Sequence, residues 1–125
     1  MNAMMLFSGI DGRGQEFQSV ISELFPPGRL EVFRSVERLS EKLRRLHEQE
    51  SLVVVVVCDK EDLVDLVSLR EILHRFRLVL VLPDAEETTI SLAHRLRPNY
   101  LTYVDSPPGE LRAVLERMIE KSESP

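Results

Sequence analysis

Residues 52–59 read Leu-Val-Val-Val-Val-Val-Cys-Asp, and the reading of the five consecutive valines decides the fold. Branching at Cβ stiffens these side chains and suits them to a pleated strand over a helix of the same length. The run shows no apolar–polar alternation, so both of its faces must be buried, as in a parallel sheet covered by helices on each side. It stops at Cys58-Asp59. Asp59 to Asp62 then open a helical stretch carrying Leu63, Leu66, Val67, Leu69, Ile72, Leu73 and Phe76, with carboxylates at the positive end of the helix dipole.

Working outward in both directions, the same alternation of short apolar run and helical period recurs five times, the pattern of a βα repeat. Upstream, Met4 to Phe7 is a first strand. It is followed by a helix face of Phe17, Val20, Ile21 and Leu24 that Pro26-Pro27-Gly28 terminates. Leu30 to Phe33 is a second strand, and Ser35 is placed to cap a helix whose apolar positions are Val36, Leu39, Leu43 and Leu46. Downstream, Leu78 to Leu82 is the fourth strand. A helix from about Glu86 to Leu96 buries Ile90, Leu92 or Ala93, and Leu96, and Pro98 stops it. Tyr100 to Val104 is the fifth strand. After Ser106-Pro107-Pro108-Gly109 a last helix presents Leu111, Val114, Leu115, Met118 and Ile119 on one stripe.

Strands one, three and four are uninterrupted apolar runs, whereas strand two contains Glu31 and strand five Thr102. Two and five are therefore the edges. The spatial order 2-1-3-4-5 follows, because the order 3-2-1-4-5 would leave the valine strand at an edge, where it would template aggregation.

A length of 125 residues suits one domain, with a core from about residue 4 to 121. An apolar fraction of 43% and a charged fraction of 30% exclude a disordered chain. The longest apolar run, Leu52 to Cys58, is far below the roughly 18 residues of a membrane span. The first residues lack a basic stretch and a cleavage pattern, and a single cysteine, Cys58, allows no internal disulfide, so a cytoplasmic location is expected. A net charge of −5 opposes a broad nucleic-acid surface. The basic groups Lys42, Arg44 and Arg45, and Arg70, Arg75 and Arg77, have acidic neighbours and read as solvated helix faces.

In a sheet of this order the functional crevice lies beyond the C-terminal ends of strands one and three, where the winding reverses. The residues there are Ser8, Gly9, Ile10 and Asp11 after strand one, and Cys58, Asp59 and Lys60 after strand three. Pro83 and Asp84 follow strand four, and Asp105, Ser106 and Pro107 follow strand five. Order and spacing from about Met4 to Lys121 resemble the receiver (CheY-like) domains of two-component response regulators, which implies a flavodoxin-like α/β three-layer sandwich. By that resemblance Asp59 stands at the phosphoacceptor position, Tyr103 at an aromatic switch position, Ser106-Pro107 at a Lys-Pro pair, and Pro83 at a Ser or Thr. Ser8 and Gly9 stand at an acidic pair.

The departures set the functional expectation. Phosphorylation in that family needs two further carboxylates to hold Mg²⁺, a hard cation that takes oxygen ligands, and Ser8 and Gly9 supply none. Ser106 replaces the lysine, and Pro83 has no hydroxyl. Asp11 and Asp84 could approach Asp59 from neighbouring loops as a weak cation site; otherwise no metal or cofactor is expected, with Mg²⁺ only if Asp59 is phosphorylated. Asp59 has a second reading as a helix cap. Cys58 is either a thiolate nucleophile near a helix N-terminus or a buried strand-end thiol, and no histidine lies near it in sequence. His47, His74 and His94 fall on separate helices without ligand spacing. Gly9, Gly12 and Gly14 are spaced unlike a phosphate-binding G-x-G-x-x-G and suit a flexible turn.

The expectation is a degenerate receiver that signals by protein contact in a bacterial-type system. Its alternatives are a receiver still phosphorylated on Asp59 and a module binding a small anion at the crevice. No base, nucleophile and oxyanion donor assemble into an enzyme site. The partner is expected to be a protein or an output domain, with homodimerisation through the fourth helix, strand five and the fifth helix. Tyr103, Arg95 and Arg112 mark that surface, and neither nucleic acid nor membrane is expected.

Overall fold

A computed structural model describes residues 2–7, 14–46, 51–56 and 59–123. In chain order these form β1 (Ala3–Phe7), α1 (Gln15–Leu24), β2 (Leu30–Phe33), α2 (Val36–Arg45), β3 (Leu52–Val56), α3 (Lys60–Val67), α4 (Arg70–Leu73), β4 (Arg77–Leu82), α5 (Glu87–Arg95), β5 (Tyr100–Tyr103) and α6 (Pro108–Glu123). The strands make one five-stranded sheet in the order β2-β1-β3-β4-β5. Every neighbouring pair is parallel. The valine strand lies at the centre, and Leu52 to Val56 are all 0% exposed. Each valine contributes roughly 1.5–3 kcal/mol of burial free energy there.

Successive strand residues point to opposite faces, so the sheet has two cores. Met4, Leu6, Val53, Val55, Leu78, Leu80 and Leu82 meet α2, α3, α4 and α5 through Leu39, Leu43, Leu63, Leu66, Leu73 and Ala93. Ala3, Met5, Phe7, Leu52, Val54, Val56, Val79 and Val81 meet α1 and α6 through Phe17, Ile21, Leu111 and Leu115. An ion pair between Arg112 of α6 and Glu23 of α1 spans the helices of the second face. Ser35 caps α2 by accepting the Arg38 N–H at 3.2 Å, as its position in the sequence predicts.

Three local details depart from expectation. The long third helix is broken: α3 stops at Val67 and α4 starts at Arg70. The Ser68 hydroxyl donates to the Asp65 carbonyl at 2.5 Å, and the Leu69 N–H bonds Leu66 O at 2.9 Å, three residues back. That tight turn leaves Leu69 off the helical conformation at φ −102°, ψ 11°, and a serine competing for backbone carbonyls is a known cause of such turns. Along α5, Ala93 and Leu96 are buried as expected, but Thr89 is buried where Ile90 is only half-buried, so the helix is turned slightly from its expected face. The Thr89 hydroxyl has no hydrogen-bond partner among the described residues. Thr102, taken as the polar mark of an edge strand, is also buried, on the face it shares with Tyr100 and Val104. The edge position of β5 nonetheless holds.

Candidate functional site

The crevice lies where β1 and β3 end. Gly14, at the N-terminus of α1 with φ +84°, is pressed against this end of the sheet. A Cβ on it would stand 2.7 Å from Val56 Cγ1 and 3.4 Å from the Phe7 ring. The expected crevice residues Ser8, Gly9, Ile10 and Asp11, and Cys58 after strand three, lie outside the described residues.

Asp59 is described, and its local chemistry is that of a helix cap. Its backbone is extended at φ −147°, ψ 167°, and its Oδ1 accepts the Asp62 N–H at 2.9 Å. Glu61 and Asp62 fill the first turn of α3, where the helix dipole favours negative charge. Lys60 leaves the helix toward the fourth strand–helix connection and pairs with Glu86. The hydrogen bond to Glu86 raises the ammonium above its ordinary value; slight desolvation opposes this, and the charges of Glu86 and Asp84 add to it. Asp84 Oδ1 in turn accepts the Glu86 N–H at 3.0 Å, a side-chain turn that shapes the approach to α5. Pro83 is buried and Asp84 half-buried. The structure thus joins Lys60, Asp84 and Glu86 through one ion pair and one side-chain turn, while Asp59 bonds within its own helix. Among the described residues no group of three His, Cys, Asp or Glu side chains is placed to hold a metal ion.

The remaining candidates lie on two surfaces. Tyr103 is half-buried against the core under α5, and Ser106 is half-buried in the turn before α6, its N–H bonding Tyr103 O at 2.9 Å. Arg95 is exposed at the end of α5. Arg112 faces α1, engaging Glu23 and, at 4.0 Å, Glu116 of its own helix. Sequence reasoning missed two features near the opposite edge. The Arg34 guanidinium lies 5.4 Å from the centroid of the Phe7 ring, at the C-terminal end of the β1–β2 pair. A concavity of about 640 Å³ also runs along β2 and α2, lined by Glu31, Val32, Phe33, Arg34, Arg38 and Arg45 among others. A chain-order reading carried no signal for the groove, because β2 and the outer face of α2 come together only in the fold.

No helix among the described residues is long and apolar enough to cross a membrane. No family model matches the sequence, and no curated protein matches it. Solved structures do. A CheY-like protein (tadZ) from Pseudomonas aeruginosa PAO1 superposes with a TM-score of 0.65 at 15% identity, over 94% of this chain and 99% of that one. A protein named as pilus-assembly-related from Burkholderia pseudomallei K96243 gives 0.62 at 18% identity, over 94% and 89%. Another named for pilus assembly (cpaE), from Burkholderia thailandensis E264, gives 0.59 at 20% identity, over 96% and 99%. At these identities the likeness speaks to architecture, and with the strand order and layers above it shows that the chain has the CheY-like receiver fold.

Proposed function

We infer that this domain is a pseudo-receiver: a receiver scaffold that signals by protein–protein contact, with phosphorylation of Asp59 absent or very slow, as part of a bacterial pilus-assembly or related signalling system. The observation that carries the reading is the position of Asp59 on a receiver fold. The carboxylate that should be offered to a phosphodonor instead caps α3 through the Asp62 N–H. Its lysine neighbour is drawn to Glu86. Ser8, Gly9, Pro83 and Ser106 add support, since none supplies the carboxylates, hydroxyl or ammonium that hold Mg²⁺ and a phosphoryl group. The pilus context comes from two structural neighbours named for pilus assembly.

The contact surface under this reading is the face of α5, β5 and α6, where the edge strand carries half-buried Tyr100 and Tyr103. Amphipathic aromatics at such a surface bury much area for little entropy loss. Incubation with acetyl phosphate and Mg²⁺ followed by intact-mass measurement tests the central claim. The expected spectrum contains unmodified protein only. A stoichiometric phosphoryl adduct that Asp59→Asn abolishes would overturn it, and asparagine is the right control because it keeps the capping oxygen.

A further inference from the structure

We propose that the outer edge of β2, which pairs with no further strand among the described residues, binds with the adjoining groove along α2 an extended acidic segment of a partner protein, which adds to the sheet as a sixth parallel or antiparallel strand. The backbone geometry identifies the docking edge. The Arg29 carbonyl accepts the Ala3 N–H at 2.8 Å, and Ala3 stands opposite Leu30 in the parallel register. Backbone polar groups alternate sides along a strand, so the Arg29 carbonyl and the groups of Glu31 and Phe33 face β1 while those of Leu30 and Val32 face outward. β2 lies at the end of the sheet, and Val32 is 39% exposed. An edge of this kind is what strand addition uses: main-chain hydrogen bonds supply affinity, and side chains along the edge supply selectivity.

Charge selects the occupant. Over residues 29–45 the cations Arg29, Arg34, Arg38, Lys42, Arg44 and Arg45 outnumber the carboxylates Glu31, Glu37 and Glu41 by three, in a chain whose net charge is −5. Arg38, Lys42 and Arg45 recur at the spacing of one face of α2 and line the groove with Arg34 and Glu41. Glu31, the carboxylate of β2, is 3.5 Å from Lys42, which offsets part of its charge. What faces an incoming strand is a row of guanidinium groups, the side chains best suited to holding carboxylates in two-pronged hydrogen bonds. A polyphosphate backbone has no amide N–H groups to offer the outward-facing carbonyls of Leu30 and Val32, so the edge favours an acidic peptide over a nucleic acid. The groove lies at the opposite edge of the sheet from β5, so the proposal does not depend on the pseudo-receiver reading.

Fluorescence anisotropy with labelled, end-capped peptides of about ten residues tests this, one alternating Glu and Thr and one alternating Lys and Thr. The Glu–Thr peptide is expected to bind and the Lys–Thr peptide not, with affinity falling as salt is raised. The double variant R38E/R45E alters two exposed side chains and should weaken binding by about tenfold or more. Val32→Pro, which removes an outward-facing donor at a position where an edge strand tolerates proline, should do the same. Should Val32→Pro unfold the domain, a Glu–Thr peptide N-methylated at every amide asks the same question of unaltered protein and is expected not to bind. Equal binding of the two peptides, or full affinity of the N-methylated one, overturns the proposal. So does tighter binding of a single-stranded RNA of equal length, or sedimentation showing that a second copy of the chain occupies the groove.

Discussion

Gly14 shows how much one backbone position can carry. At φ +84° it lies in the left-handed region, where a side chain costs about 1–2 kcal/mol, and the closest wall of its site is the Val56 side chain at the centre of the sheet. Gly14→Ala is therefore expected to lower the unfolding free energy by about 2 kcal/mol or more, as conformational strain and overpacking combine. Urea denaturation checks this; a loss under about 0.5 kcal/mol would mean that the turn relaxes freely and that the contact is not constraining. In the sequence Gly14 reads only as one of three glycines in a flexible turn. Its actual constraint comes from Val56, a residue remote along the chain. Thr89 is the complementary case: its place on the buried face of α5 follows from the slight turn of that helix, and a hydroxyl with no hydrogen-bond partner among the described residues could not be read from the local pattern.

The element with most bearing on function is α3, a helix of two turns held at its N-terminus by Asp59. Replacing the cap by alanine leaves the Asp62 N–H without its partner, so Asp59→Ala is expected to cost about 1 kcal/mol, while Asp59→Asn stays within a few tenths of the parent. Paired thermal melts of the two variants measure this. Equal destabilisation would show that the cap contributes nothing, and with it would go the structural role assigned to Asp59. The cap reading of Asp59 was legible in the sequence, from a carboxylate just before a helical period, whereas the phosphoacceptor reading came from the resemblance to receiver domains. The break between α3 and α4 was not legible. Apolar spacing continues through Leu69, Ile72 and Leu73, and only the hydrogen bonds around Ser68 reveal the tight turn.

For the whole molecule, the surfaces that could recruit partners are the two ends of the sheet. The proposed contact through α5, β5 and α6 predicts a concentration-dependent dimer at roughly tens of micromolar, related by a two-fold axis. Arg112 is a poor probe of that surface, since its guanidinium engages Glu23 and its loss would disturb the α1–α6 pair. Arg95 is exposed at the end of α5 and serves better. Sedimentation of the parent beside the double variant Tyr103→Ala, Arg95→Glu is expected to show the dimer lost in the variant. If both sediment as identical monomers, the homodimer form of the contact is wrong, and a different protein must be the partner.

Strand identity, parallel pairing and the order 2-1-3-4-5 were determined by the sequence alone, because burial on both faces demands an unbroken apolar run and edge strands escape that demand. The caps at Ser35 and Asp59 were equally local, each a side chain within reach of an N–H three residues ahead. Only the tertiary structure decided that Arg112 turns to α1, that Lys60 reaches Glu86, and that β2 and α2 enclose a basic groove. These are pairings between residues far apart in the chain. A helical or strand period states which face of an element is buried, but which partner each exposed charge meets depends on how the elements are laid against one another in space.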